Sequence, residues 1–307
     1  MNHLERLGNV HVIDTNMFNF ARYCAAYLVK GREIALIDTG MASQAEAMLG
    51  GIKAHGFSIS DISYIFVTHE HPDHNGNVAT LLKESPKANV YIHPEGLQYL
   101  IAPEIERERR KERMPLAMAE RFGVAEPVPS SRIKYLKDGD VFDLGDGEKL
   151  KIIFAPGHQP SGIVILDEKN KGLFINDLVG IYLPDVGCQY PLNPLRSDNI
   201  QAVDTLKKIM ELPISHLLLG HYGIAHEPKK IISRAIDDME KLLNIGRKCM
   251  RERNPEGIGR KVWEMVMPEL EKLRSVRGEA VYQYATQEHV PAQVELFTKY
   301  CRERLTG

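Results

Sequence analysis

Much of what this 307-residue chain can be is narrowed by what it lacks. Neither charge is in excess: 39 Lys and Arg against 41 Asp and Glu leave a net charge of −2, both signs interspersed. Without a basic stripe there is no electrostatic footprint for nucleic acid, and no such partner is expected. No apolar run approaches the roughly 20 residues that a membrane-spanning helix needs, so no membrane partner is expected either. The first ten residues, MNHLERLGNV, read neither as a cleavable signal nor as an Arg-rich amphipathic presequence. Four cysteines (Cys24, Cys188, Cys249, Cys301) lie far apart, with no CxxC pair. Free thiols in a reducing, cytoplasmic setting are the simplest expectation from that spacing. A phosphate-cradling loop is missing too, since Gly50-Gly51 sits in a helical stretch outside any GxxxxGK context. No Ser/His/Asp or Cys/His nucleophile pattern stands out, and no solenoid repeat does.

What is present is a 43% hydrophobic chain, long enough for a sizeable core: one large domain, or a domain with an appendage. Short apolar runs alternate with helical stretches. NVHVID (9–14), AAYLVK (25–30), EIALID (33–38), YIFVT (64–68) and NVYIH (89–93) read as strands, with a helix over 42–56. RIKYL, KLKIIFA, GIVILD, KGLFIN and HLLLG (216–220) repeat the pattern, with a helix near 198–211. Strands in each half with helices between them predict two facing sheets with helices outside. From 227 the texture becomes helical throughout, which sets a domain over 1–226 and a helical C-terminal extension over 227–307. A charged helical stretch, 103–123, interrupts the α/β pattern; its ERERRKER run reads first as a solvated helix face, and second as a lid or partner surface.

One short stretch concentrates chemistry. Residues 66–77 read FVTHEHPDHNGN, with three histidines, an aspartate, a glutamate and a proline between 69 and 74. The segment brushes against the HExxH zinc helix, but position 73 is Asp and Pro72 is foreign to a helix interior, so a loop is expected. In an extended segment His69 and His71 project to one side, and Asp73 and His74 follow. Imidazole and carboxylate suit zinc, iron or manganese, whereas a structural Cys-type zinc site has no clustered thiolates to build on. Further donors stand where later strands end: His158 in FAPGHQPSG, Asp177 in LFIND, His221 in HLLLGHYG.

In these residues the chain resembles the metallo-β-lactamase superfamily. HEHPDH fits its H-x-H-x-D-H signature, IDTG (37–40) precedes it, and PGH (156–158), Asp177 and GH (220–221) follow in order. The resemblance covers about 9–226 and implies an αββα sandwich of α/β class with the metals at one edge of the sheets. It implies two divalent ions, zinc first, with iron or manganese as options. His69, His71 and His158 would hold one; Asp73, His74 and His221 would hold the other; Asp177 would bridge. Asp73 and Asp177 take the catalytic roles, and Asp38 is expected to accept a hydrogen bond from a donor imidazole. Two departures touch the surroundings: Asn176 where many relatives have Gly before the bridging Asp, and Gln159 where many have Thr. The proline-rich stretch 177–194 is expected to be a loop over the metals, with Tyr182, Cys188 and Tyr190 as pocket candidates.

The expected activity is hydrolysis of an ester-like carbonyl, thioester or lactone, in a small-molecule substrate. Rivals are a persulfide dioxygenase with one iron on His69, His158 and Asp177, and a metal-holding regulatory protein with weak esterase activity. The helical extension could form a homodimer contact. Fold alone does not choose among these.

Overall fold

The computed structural model describes residues 5–112, 114–191 and 197–305. In chain order its strands are β1 (Arg6–Leu7), β2 (Val10–Asp14), β3 (Ala25–Lys30), β4 (Ile34–Ile37), β5 (Ile62–Phe66), β6 (Asn89–Ile92) and β7 (Ile133–Tyr135). Then come β8 (Val141–Gly145), β9 (Glu148–Phe154), β10 (Ile163–Asp167), β11 (Gly172–Asn176), β12 (Ile181–Leu183), β13 (Cys188–Tyr190), β14 (His216–Leu219) and β15 (Ile224–Ala225). The chain divides into two compact units, crossing between them several times. The first takes in residues 1–155, 161–176 and 213–227; the second has 156–160, 177–212 and 228–307.

In the first unit β1 to β7 form one sheet in sequence order, antiparallel up to β4 and parallel from β4 to β7. A second sheet runs β15-β14-β11-β10-β9-β8, with β11 and β14 parallel. Period-two alternation explains how the first is covered on both faces. On β3, Ala25, Tyr27 and Val29 join Ile37 and Phe66 in a core with Leu150, Ile152, Ile165 and Phe174 of the second sheet. Ala26 and Leu28 turn the other way, to Met48, Ile52, Val78, Leu81 and Leu82. Those last five belong to α1 (Ala45–Ala54) and to the helix Val78–Glu84. Burial on both faces is why β3 reads AAYLVK, almost without alternation.

The motif helix is where the sequence expectation needs correcting. Pro72–Asn75 is a short helical turn, α2, ahead of α3 (Val78–Glu84). His71, with φ −69° and ψ 147°, is its extended N-terminal flank, and Pro72 stands at the first helical position, where a missing N–H costs no internal bond. After α4 (Leu97–Ile101), the charged stretch is helical as expected but broken into α5 (Glu104–Lys111) and α6 (Leu116–Arg121). Its face is not uniformly solvated: Arg110 is 3% exposed, bound to Glu106 at 2.8 Å and laid over the Phe122 ring. Arg113, the last arginine of ERERRKER, lies outside the described residues.

In the second unit, α7 (Asn199–Ile209) begins at Asp198, whose carboxylate accepts from the Ile200 and Gln201 N–H groups. The stretch after Asp177 holds a hairpin rather than a bare loop: Ile181, Tyr182 and Leu183 pair with Tyr190, Gln189 and Cys188. Residues 192–194, the end of that expected loop, lie outside the described residues. Long helices follow, α8 (Pro228–Arg251) and α9 (Gly257–Arg277), then α10 (Glu279–Gln283), a wide turn over Tyr284–His289 and α11 (Val290–Arg304). Glu269 of α9 ties three elements together, accepting from Gln189 N–H on β13, Arg234 on α8 and Lys272. Among the described residues no helix is long and apolar enough to cross a membrane.

Candidate metal centre

The first unit carries five of the seven expected donors. β4 and β5 run parallel and end side by side, so the segments after them, Asp38–Gly40 and Val67–His71, lie next to each other. Asp38 uses both carboxylate oxygens there: Oδ1 accepts from Thr68 N–H at 2.8 Å, and Oδ2 accepts from Thr68 Oγ1 and His74 Nδ1, each at 2.8 Å. Its backbone is left-handed (φ 58°), a conformation Asp tolerates better than most residues. With the proton held on Nδ1, the His74 imidazole presents a lone pair on Nε2, which lies 3.6 Å from Asp73 Oδ2. Thr39 Oγ1 donates to His74 O, fixing the turn that carries both.

His69 is fully buried, its Nδ1 3.1 Å from Thr68 Oγ1 and its Nε2 3.0 Å from His71 Nδ1. Between them Glu70 is buried as well, accepting from Ser161 Oγ through its carboxylate and from Asn75 Nδ2 through its carbonyl. His221 follows β14 after one glycine, and its Nδ1 donates to Tyr23 O at 3.1 Å, leaving Nε2 as the donor nitrogen. The donor atoms of Asp73, His74 and His221 lie within 4.8 Å of one another.

The other two expected donors, His158 and Asp177, belong to the second unit. Both are buried, with His158 Nε2 3.6 Å from Asp177 Oδ2. The loop bearing His158 is held by backbone contacts: Gly157 O accepts from Asp198 N–H and Pro156 O from Thr205 Oγ1. Gly157 has φ 144°, and a Cβ there would stand 2.4 Å from Ala202 Cα, so this position admits glycine alone.

The two departures from the family pattern acquire physical content. Asn176 adopts φ 50°, a left-handed conformation in which Gly is at ease and Asn is the usual second choice. Its amide also donates to Ile163 O at 2.6 Å, which ties β11 to β10 beside Asp177. Gln159 is 2% exposed, a core residue beside His158. Of the pocket candidates, Cys188 and Tyr190 are buried on β13 and Tyr182 is half-buried on β12. Burial pushes the Cys188 thiol up to about 12, with the Glu269 charge adding to it, so this is no reactive thiolate.

Histidines outside the donor set have ordinary partners. His55 Nε2 donates to Val12 O while its Nδ1 meets His11 Nδ1 at 3.2 Å; burial first, then the nearby His55, Arg6 and Lys30, bring His11 down to about 4. His216 stands edge-on to His226, His93 to Phe154, and His289 stacks on Tyr284. His3 lies outside the described residues. Sequence reasoning missed Tyr23, Thr68 and Thr39. Thr68 had a signal in its place directly before His69. Tyr23 had none: it follows a segment in which Asn16, Phe18, Asn19 and Arg22 all adopt positive φ, and its ring stands 5.6 Å from that of His221.

With the geometry in place, comparison is informative. A family model described as the metallo-beta-lactamase superfamily matches residues 20–221. The chain belongs to that superfamily. A metallo-beta-lactamase family protein from Thermus thermophilus shares the fold at a TM-score of 0.68 and 17% identity, covering 97% of this chain and 94% of that one. A putative diflavin flavoprotein of Nostoc sp. is 25% identical over 68% of this chain and 35% of its own length. The flavo-diiron protein FprA2 of Clostridium acetobutylicum is 29% identical over 51% of this chain and 34% of its own. This superfamily member thus spans about a third of the length of those two relatives.

Proposed function

We propose that the chain is a dinuclear metal-dependent hydrolase of an ester-like carbonyl, thioester or lactone. On the family's motif, His69, His71 and His158 would hold one ion, Asp73, His74 and His221 the other, and Asp177 would bridge. The observation that carries the reading is the first unit's own cluster, in which the donor atoms of Asp73, His74 and His221 lie within 4.8 Å of one another. Support for bringing the second unit's donors in comes from covalent tethering. Asp177 is bonded to Asn176, the last residue of β11, and the His158 loop leaves and re-enters the first unit at Ala155 and Ser161. Ala155 N–H donates to Gly162 O, which holds the two ends of that loop together.

The donor set fits divalent ions chemically: five imidazoles and two carboxylates without thiolate, as zinc, iron and manganese accept. Bound there, such ions would polarise a carbonyl and lower the pKa of a water toward neutrality. The chain's own residues then have defined tasks. Asp73 would orient the attacking water, Asp177 would take the proton that this water loses and pass it to the leaving atom, and Asp38 and the Tyr23 carbonyl fix the tautomers of His74 and His221. His69 and His74 are fully buried and His71 half-buried.

A second reading, an iron-dependent oxidoreductase, is favoured by the names of the relatives, one of which is called a flavo-diiron protein. Elemental analysis of protein purified without added metal separates the two. Close to two ions per chain with turnover of a thioester or lactone supports the hydrolase. Two irons with oxygen consumption and no hydrolysis supports the oxidoreductase, and one iron with oxygenation of a persulfide supports the mononuclear alternative.

A further inference from the structure

A cavity of about 240 Å³ lies in the first unit against the charged stretch 103–123, whose second sequence reading was a lid. We infer that it receives the far end of the substrate, an apolar body bearing one carboxylate; its place in catalysis rests on the proposed metal centre, its existence as a binding site does not. Pro72 and Asn75 form part of its wall, and they flank Asp73 and His74 on α2. An occupant therefore sits beside the turn that carries two proposed donors. The rest of the wall is largely apolar, with Tyr99, Pro103, Phe122 and Val124 among the lining residues. A dry cavity of about 150 Å³ accepts benzene, so this volume suits an aryl ring or a short acyl chain with a polar end.

The charged residues decide the polar end. Arg110 is a wall element, buried and satisfied by Glu106. Arg107 lines the cavity under different conditions: its side chain is 38% exposed, and its ion pair is a 3.4 Å contact from Nε to Glu108, itself 57% exposed. The Nε atom itself is buried and makes no hydrogen bond among the described residues, so the exposure of the side chain lies in the outer guanidinium edge, which can grip a carboxylate with two parallel hydrogen bonds. Glu104 and Glu106 also face the cavity, so its four charged side chains sum to zero. That balance favours a monoanion over a phosphate dianion. Val124, 66% exposed, stands at the rim as the apolar entrance.

The test uses the full chain as purified, with phenylacetate and its neutral isostere phenylacetamide as probes, followed by amide chemical shifts. Phenylacetate is expected to bind at least tenfold more tightly and to shift Phe122, Gly123 and Val124. Arg107→Gln should abolish that tenfold advantage while leaving phenylacetamide binding unchanged, and Val124→Trp should weaken both. Equal affinities for the two probes would overturn the inference. So would an advantage that survives Arg107→Gln, with shifts confined to His69–His74, since the acid would then be meeting the donor cluster. Absence of thioester and lactone turnover in the metal-loaded chain, with phenylacetate binding intact, would refute the hydrolase reading and leave the cavity assignment standing.

Discussion

Replacing Asp38 by Asn changes one oxygen into an NH₂ and tests how the donor imidazole of His74 is set. Oδ1 accepts a single bond, from Thr68 N–H, and an amide oxygen can take over that role. Oδ2 accepts two, from Thr68 Oγ1 and His74 Nδ1. With NH₂ in its place the Thr68 hydroxyl can rotate and accept, but His74 must turn a lone pair toward the amide. Its proton then moves to Nε2, the nitrogen proposed to bind metal. A hydrogen bond to a buried charge contributes about 1.5–3 kcal/mol, so the folded protein should lose roughly that amount. Metal affinity should fall about 10–100-fold, the usual effect of removing a partner that orients a ligand. Chelator competition with zinc, urea unfolding of the metal-free protein and nitrogen chemical shifts of His74 read the three effects separately. If Asp38→Asn keeps His74 protonated on Nδ1 and zinc affinity within twofold of the parent, the argument from Asp38 is refuted.

Three further outcomes are expected. His71→Ala and Asp177→Asn should each abolish turnover while leaving circular dichroism and the thermal transition close to the parent's; full activity in either would refute the donor assignment. At position 176, Gly should be tolerated within about 1 kcal/mol, whereas Val, forced into a left-handed backbone, should cost about 2–3 kcal/mol; equal urea midpoints for the two would refute the conformational reading. Glu148 is fully buried and raised from 4.5 to about 7, by burial first and by the Asp167 charge next. The native state therefore holds this proton more tightly than the unfolded chain does. Stability from this group is present below pH 4.5 and declines as pH rises toward 7, so Glu148→Gln should flatten that decline in urea midpoints measured from pH 5 to 8.

The donors were legible in the sequence because each stands where an apolar strand stops. His69 follows YIFVT, His158 follows KIIFA, Asp177 follows LFIN and His221 follows LLLG, so the strand pattern itself delivers them to loop positions. Asp38 was legible for the same reason, at the end of β4, and parallel pairing with β5 accounts for its reach to Thr68 and His74. What stayed hidden depends on contacts that no local period encodes. Pro72 reads as a breaker inside a pattern but is a favourable first residue of a helix, and only the backbone of His71 tells the two apart. Arg110 reads as one more charge in ERERRKER, yet Glu106 one turn earlier and Phe122 beyond the next helix compensate its burial. Tyr23 works through its carbonyl, which every residue has, so its role follows from where the chain passes and not from which residue it is. Mutation should be informative accordingly: side-chain replacements report on Asp38, while the carbonyl bond from Tyr23 to His221 answers to a change of backbone course, such as proline at a neighbouring position, and a side-chain replacement at Tyr23 reports on the ring contact alone.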